Sequence, residues 1–200
     1  MSKFQPYKAI PSMCIPLLVL SIATSGCFNK MSEQIEDSNT GMNGSFEVEE
    51  NGYPVNWLLY APTTVPDSDF DLLLDTSTAK DGNQSLRFTV RTCQDIGGWR
   101  SPGLATEVPA TSPGRYQLTF WIKNHGSRIA ATIGGVSAFE GDMESVIESN
   151  ASYDDWMMVS HEYTISPPFE KIRFEFNILE PGTVLIDDVR IEKREDADIG

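Results

Sequence analysis

Apolar and polar side chains alternate with a period of two residues along much of the chain. The alternation is clearest in four stretches, residues 85–92, 116–123, 156–163 and 171–176. A period of two sends successive side chains to opposite faces of an extended strand, so each stretch predicts a strand with one buried and one polar face. No helical pattern is evident after Cys27. The sequence therefore favours an all-β fold built from half-buried antiparallel strands.

Turn-forming residues separate these stretches. They are Asp81-Gly82-Asn83, Pro113-Gly114, Asn124-His125-Gly126, Pro167-Pro168 and Pro181-Gly182. Glycine, proline and asparagine in such clusters mark chain reversals. Many short strands divided by turns are typical of a β-sandwich or jelly roll. We therefore expect one antiparallel β-sandwich over residues 42–193, followed by a short tail over residues 194–200.

The balance of charge excludes one class of partner. The chain has 15 Lys and Arg against 29 Asp and Glu, which gives a formal net charge of -14 at pH 7. A surface this acidic repels phosphate backbones, so nucleic acid is not an expected partner. A neutral ligand or a cation suits it better.

The N-terminal region has the features of an export signal. Lys3 and Lys8 precede an apolar run from Met13 to Ala23. That run is shorter than the roughly 20 residues that a membrane-spanning helix needs, which favours a signal peptide. The small residues before Cys27 resemble the lipobox of bacterial lipoproteins, with Thr24 where that motif usually has leucine. An ordinary signal peptide that is cut nearby is the alternative.

The lipobox resemblance implies a division of the N-terminal region and a destination. Residues 1–26 would be the signal peptide, Cys27 the lipidated residue, and residues 27–41 a polar, flexible tether. Phe28 follows the cysteine, where aspartate would signal retention in the inner membrane. We therefore expect a lipid anchor in the membrane, in the outer membrane of a Gram-negative bacterium.

Two adjacent carboxylates interrupt the apolar run from Thr183 to Ile191. They are Asp187 and Asp188, and a buried carboxylate needs a partner because desolvating an unpaired charge is costly. A hard cation such as calcium suits oxygen-rich side chains, and the stretch from Asn43 to Glu47, near the start of the predicted domain, would form the other half of such an arrangement. Alternatively, Glu47 and Asp187 are solvated at strand ends or pair with Arg190.

Six segments, in this order, resemble one family of proteins. They are Asn43-Gly44-Ser45-Phe46-Glu47, Pro54-Val55-Asn56-Trp57, Asp81-Gly82-Asn83-Gln84-Ser85-Leu86, Gly114 to Lys123, Trp156, and Ile186-Asp187-Asp188-Val189. Together they resemble the carbohydrate-binding modules of families 4, 9 and 22, which are jelly rolls with a galactose-binding-like topology. The resemblance covers almost the whole predicted domain, with Ser45 where glycine or aspartate is commoner.

The resemblance implies a structural calcium ion between the two chain ends. Its ligands here would be the side chains of Glu47 and Asp187, with Asp188 as a substitute, and backbone carbonyls at Ser45 and in the turn that begins at Lys80. Calcium takes six to eight oxygen ligands in flexible geometry, which agrees with such a mixed set.

The aromatic residues supply the candidates for ligand binding. We expect three tryptophans, Trp57, Trp121 and Trp156, to be core residues at positions where this family buries an aromatic ring. Trp99 differs, because it lies in a glycine-rich loop, and it is either a platform on which a sugar ring stacks or a plug over one end of the sandwich. Tyr60, at a strand end, is a second candidate.

Polar strand residues would add hydrogen bonds to such a ligand. Arg87 and Arg91 lie on the polar side of their strand, as does Lys123 of theirs. These side chains are candidates for contacts with sugar hydroxyls, although strand residues of this kind are more often simply solvated.

The function predicted from these residues is binding rather than catalysis. His125 and His161 are the two histidines, and Cys93 is not in a catalytic motif. A surface-anchored protein that binds an oligo- or polysaccharide is the first hypothesis. A structural or adhesion lipoprotein that uses the same jelly roll for protein contacts is the alternative, and a small hydrolase is disfavoured.

Overall fold

The computed structural model describes residues 41–138 and 140–194. The strands are β1 (Glu49–Glu50), β2 (Tyr53–Pro54), β3 (Leu58–Tyr60), β4 (Asp69–Asp75), β5 (Ser85–Thr92), β6 (Gly103–Pro109), β7 (Gly114–His125), β8 (Ile129–Val136), β9 (Gly141–Ser149), β10 (Tyr153–Ile165), β11 (Lys171–Ile178) and β12 (Gly182–Lys193). A single 3-10 turn, Gly98–Arg100, interrupts them in the described part of the chain. Within the same residues, no helix is long and apolar enough to span a membrane.

The strands form two five-stranded antiparallel sheets and a small hairpin, β1–β2. The first sheet has the order β10-β7-β12-β5-β4 and the second has the order β3-β6-β11-β8-β9. Strands that are neighbours in the chain often lie in different sheets, as β6 and β7 do. The all-β sandwich predicted from the alternating pattern is therefore confirmed.

The inward-facing positions of both sheets make one continuous core. Leu118, Phe120 and Ile122 of β7 are completely buried, as are Phe174 and Phe176 of β11. The ring centroid of Phe120 lies 5.3 Å from that of Phe174 and 6.0 Å from that of Phe176, so β7 and β11 meet across the sandwich. Edge-on and tilted aromatic pairs of this kind add to the stabilisation that burial provides.

The core prediction is confirmed for one tryptophan and wrong for two. Trp57 is buried, and its indole N–H donates to the Asn43 carbonyl at 2.9 Å. Trp121 and Trp156 are only half-buried. Trp121 follows Phe120, which points inward, so the strand alternation sends the indole to the outer face of the first sheet.

Each of these two outer indoles contacts a lysine. The Lys80 ammonium lies 3.8 Å from the ring centroid of Trp121, and that of Lys123 lies 5.4 Å from that of Trp156. The two tryptophans thus cover the outside of the first sheet, where cation–π contacts contribute about 0.5–1 kcal/mol each.

The start and the end of the domain meet where β12 is irregular. The pairing of β12 with β7 shifts register between Asp187 and Arg190. At this point the Val189 N–H donates to the Gly44 carbonyl at 3.0 Å. A Cβ on Gly44 would lie 1.8 Å from the Val189 carbonyl oxygen, so only glycine permits this approach.

Candidate functional site

The four residues predicted to bind a ligand lie on two opposite sides of the molecule. Trp99 and Tyr60 belong to the second sheet and its loops, whereas Arg87 and Arg91 are outward residues of β5 in the first sheet. The inner faces of the two sheets pack together, so their outer faces point apart. A single site that contains all four side chains is therefore wrong.

Both arginines already have carboxylate partners in strand β4. Arg87 Nη1 lies 3.1 Å from Asp75 Oδ2, and Arg91 donates to Asp69 Oδ1 at 2.6 Å and to Asp71. Both arginines therefore form cross-strand ion pairs between β5 and β4, which accounts for their presence on this face without a ligand.

On the other side, Trp99 lies in a loop that packs against the second sheet. We call residues 94–101 the Trp99 loop and the outer face of the second sheet the second-sheet face. The indole is 64% exposed, so the interpretation as a plug over the core is wrong. Gly97 and Gly98 have φ of 81° and 59°, a left-handed conformation that glycine adopts without strain. Trp99 therefore projects from a tight turn whose backbone needs both glycines.

Tyr60 is part of the second-sheet face, but its ring is not available for stacking. The side chain is only 5% exposed and belongs to the buried cluster, so its predicted role as an open platform is wrong. Its hydroxyl accepts a hydrogen bond from Arg173 Nη2 at 2.9 Å. Burial, followed by the charge of Glu175, raises the pKa of Tyr60 to about 12, with Arg173 acting in the opposite direction.

Arg173 links Tyr60 to two carboxylates on the second-sheet face. It donates to Glu175 Oε2 at 3.0 Å from Nη2 and to Glu107 Oε1 at 3.0 Å from Nη1. Glu107 also accepts a hydrogen bond from Lys171, and these cations hold the pKa of its carboxyl below the usual range. The result is a fixed network of acceptors and donors at the centre of the face.

An open groove borders this network. It has a volume of about 470 Å³ and is lined by Asn56, Trp57, Leu58, Ala105, Thr106, Glu107 and Arg173. A second groove of about 300 Å³ adjoins Glu107 and Lys171. The Trp99 loop borders the same network, since a Cβ on Gly98 would lie 3.7 Å from Glu175 Oε1. The loop, the network and the grooves thus belong to one face.

Sequence reasoning did not select Arg173, Glu175 or Glu107 as site residues. The alternation over residues 171–176 does send Arg173 and Glu175 outward, and that was the available signal. Glu107 stands opposite Arg173 only because β6 pairs with β11 in this register. No local sequence pattern predicts such a pairing between strands.

The residues predicted to bind calcium converge on one turn, residues 80–84. Asp187 is completely buried, and its Oδ2 accepts hydrogen bonds from the backbone N–H groups of Lys80 at 2.6 Å and Asp81 at 3.0 Å. Glu47 Oε1 accepts hydrogen bonds from the N–H groups of Asn83 and Gln84, at 2.8 and 2.9 Å. The two carboxylates therefore hold the two halves of the same turn.

These contacts differ from those of a metal ligand set. Burial raises the pKa of Asp187 to about 7, against the effect of its N–H donors. Asp188 pairs with Arg190. Among the described residues, no group of three or more acidic, histidine or cysteine side chains is placed to hold a metal ion. The side chains alone do not make a calcium site as arranged here. Calcium coordination by them, with carbonyls at Ser45 and Lys80, stays a prediction.

Comparison with solved structures identifies the fold. The CBM22-1 xylan-binding domain of Paenibacillus barcinonensis Xyn10C is 15% identical, with a TM-score of 0.55 over 77% of this chain and 94% of that domain. A family 4 carbohydrate-binding module is 16% identical, with a TM-score of 0.53 over 76% of this chain and 98% of that one.

A third solved structure with this fold is part of a larger protein. The enzymatically active domain of tailspike protein 4 of bacteriophage CBA120 is 19% identical, with a TM-score of 0.55 over 78% of this chain. This chain spans only 21% of that one. No protein-family model matches the sequence, and no curated protein does. At these identities the likeness establishes the jelly-roll fold of the carbohydrate-binding modules and nothing further. Lipidation at Cys27 lies outside the described residues and stays a prediction.

Proposed function

We propose that the protein binds an oligo- or polysaccharide on the second-sheet face, without catalysing a reaction. The observation that carries this proposal is an exposed indole, Trp99, beside a fixed network of hydrogen-bonding groups on the same face. The same fold in modules described as xylan-binding supports the proposal, although it does not identify the glycan.

The chemistry of the face suits a polyhydroxylated ligand. The flat indole of Trp99 offers an apolar surface to the C–H groups of a sugar ring. Glu175 and Glu107 accept hydrogen bonds from hydroxyl groups, and Arg173 donates them. Because these three side chains are already held by one another, little side-chain freedom is lost when a ligand binds. The carboxylates at the centre of the face favour a neutral glycan over an acidic one.

One observation favours the alternative, a lipoprotein that contacts other proteins. Leu58 and Ile96 are 55% and 56% exposed, and they lie beside the groove and in the Trp99 loop. Together with Trp99 they place three large apolar side chains at the second-sheet face. Exposed apolar groups that are rimmed by polar residues are also typical of protein-interaction surfaces.

Glycan binding by the wild type and two variants distinguishes these functions. The wild type is first screened on a glycan array, and affinities are then measured by calorimetry. Trp99→Ala should weaken binding strongly, to a residual affinity that calorimetry still measures, while changing the free energy of unfolding by less than about 0.5 kcal/mol, since surface substitutions seldom cost more. Met158→Ala removes a large apolar side chain that is 53% exposed but lies on the first sheet, and it should bind like the wild type.

Glu175→Gln tests the polar part of the site. It keeps the shape of the side chain and removes its charge, so affinity should fall by roughly tenfold as a charge-assisted hydrogen bond is weakened. A wild type that binds no glycan on the array, or a Trp99→Ala variant with unchanged affinity, would exclude this site and favour protein contacts.

A further inference from the structure

The side chain of Asn177, on β11, forms two hydrogen bonds with the backbone of the Trp99 loop. The Gly98 N–H donates to Asn177 Oδ1 at 3.0 Å, and Asn177 Nδ2 donates to the Gly98 carbonyl at 3.1 Å. That carbonyl belongs to the peptide bond joining Gly98 to Trp99. Both hydrogen bonds of the amide are therefore made next to the exposed indole.

A glycine on the neighbouring strand makes room for this amide. A Cβ on Gly103 would lie 2.9 Å from Asn177 Nδ2, which is too close, whereas a Cβ on Gly97 would be in ordinary contact with Oδ1, at 3.5 Å. Gly98 is the partner of the amide itself. Asn177 is 7% exposed in this slot, so its side chain has a fixed orientation on the second-sheet face.

The loop has other supports as well: the Ser101 N–H also donates to the Gly98 carbonyl, at 3.2 Å, and Gln94 Nε2 donates to Asp67 Oδ2 at 2.8 Å. Ser101 Oγ donates to the Gln94 carbonyl at 2.6 Å and accepts the Gly97 N–H at 2.9 Å, which closes the loop on itself. Arg128 lies 3.4 Å from Asp95, a carboxylate that is largely exposed. Exposed ion pairs contribute little, so Arg128 restrains the loop weakly. Asn177 is the contact that joins the sheet directly to the residue before Trp99.

We propose that Asn177 is a positioning residue, which holds Trp99 in the orientation that the glycan requires. This inference rests on the proposed function, because it concerns the affinity of the same site. Asn177 makes no contact with the ligand; it acts by ordering the loop before binding, so that the ligand does not have to do so. Its loss should weaken binding because the free protein samples other orientations of the indole.

The test measures affinity and the state of Trp99 separately. In Asn177→Ala, the affinity for the glycan found on the array should fall about tenfold, the size of effect expected when two hydrogen bonds that order the loop are lost. Acrylamide quenching of Trp99 should increase in the ligand-free protein. The contribution of Trp99 is isolated by subtracting the signal of the matching Trp99→Phe variant. Asn177→Asp keeps the acceptor for the Gly98 N–H and loses the donor, so it should be intermediate in both measurements.

A double-mutant cycle identifies the route of the effect. In a Trp99→Ala background, the further change Asn177→Ala should alter the residual affinity less than about twofold, because a residue that acts through Trp99 has nothing left to position. Gly98→Ala disturbs the loop from its own side and should reproduce the increase in quenching even where Asn177→Ala fails to fold.

The outcomes separate this inference from the proposed function. Unchanged quenching in Asn177→Ala, Asn177→Asp and Gly98→Ala overturns the positioning role. An equal loss of affinity with and without Trp99 also overturns it. A wild type that binds no glycan removes the proposed function, while the quenching measurements still decide whether Asn177 orders Trp99.

Discussion

Tyr60 joins the buried core to the second-sheet face through one side chain. Its ring is packed in the hydrophobic cluster, and its hydroxyl meets Arg173 and Glu175. Because burial and the neighbouring carboxylate disfavour the phenolate, the folded protein retains this proton to about pH 12, two units above the ordinary value of 10.0.

This raised pKa predicts a loss of stability at alkaline pH. The unfolded chain releases the proton near pH 10, and the folded chain retains it until about pH 12, so the contribution is complete below pH 10 and is lost as the pH rises through that window. Relative to Tyr60→Phe, the wild type should therefore lose about 1 kcal/mol of unfolding free energy between pH 9 and pH 11. Urea denaturation at both values measures it.

Tyr53→Phe, which changes an exposed tyrosine, is the matched control. A difference between wild type and Tyr60→Phe that stays constant from pH 9 to pH 11 would contradict the environment described for Tyr60.

At the scale of the strands, close approach between β6 and β11 depends on a glycine. A Cβ on Gly103 would lie 2.1 Å from the Phe176 carbonyl oxygen and would also meet Asn177. Neither group is a flexible side-chain end that can move away, since one is backbone and the other is held by Gly98.

Gly103→Ala should accordingly destabilise the fold. Forcing a methyl group into this contact shifts the strands apart and should cost about 3 kcal/mol, at the upper end of overpacking effects. Gly141→Ala, in an edge strand, is the control, because its Cβ would lie at ordinary contact distances from Val136 Cγ1, 3.4 Å, and from the Gly135 carbonyl oxygen, 3.6 Å. Thermal or urea unfolding of both variants checks this, and equal stability would show that the sheet adjusts more freely than expected.

The turn at residues 80–84 is bound by side chains from both ends of the domain. Glu47 and Asp187 hold it by accepting backbone hydrogen bonds, so the turn depends on residues far away in the chain. Hydrogen bonds to a charged acceptor contribute about 1.5–3 kcal/mol. Glu47→Ala should therefore lower the free energy of unfolding by about 2 kcal/mol, whereas the exposed Glu50→Ala should stay within about 0.5 kcal/mol.

The same variants test the calcium prediction. An ion bound only to the folded state adds about 2.7 kcal/mol at a hundredfold excess over its dissociation constant. The wild type should gain this stability in calcium, and Glu47→Ala should not. A wild-type unfolding midpoint that is identical in calcium and in chelator contradicts calcium binding. The two carboxylates would then serve only to bind the backbone of the turn.

On the scale of the whole molecule, the two outer faces have different characters. The first sheet exposes ion pairs and lysine-covered tryptophans, while the second exposes Trp99, the Arg173 network and the groove. An anchor at the N-terminus would leave the second-sheet face accessible only if the polar tether predicted over residues 27–41 is long enough.

Lipidation at Cys27 is tested in the full-length protein. Wild-type protein should be acylated and recovered with the membrane fraction, because a lipid chain with a processed N-terminus partitions into the bilayer. Cys27→Ala should block acylation and processing, which mass spectrometry of the N-terminus detects. Wild-type protein recovered entirely as an unacylated, water-soluble species would contradict the anchor.

The sequence alone determined the alternating strands β5, β7, β10 and β11 and their antiparallel sandwich, because alternation and turn residues are local signals. The expectation that Glu47 and Asp187 lie together came from the resemblance to the carbohydrate-binding modules. Which strands are neighbours in a sheet was decided only by the tertiary structure. Tyr60 and Arg173 are 113 residues apart and meet because β3, β6 and β11 are neighbours in one sheet. The same sheet order separates Trp99 from Arg87, since pairing between distant strands depends on the collective fit of the core and has no local sequence signal.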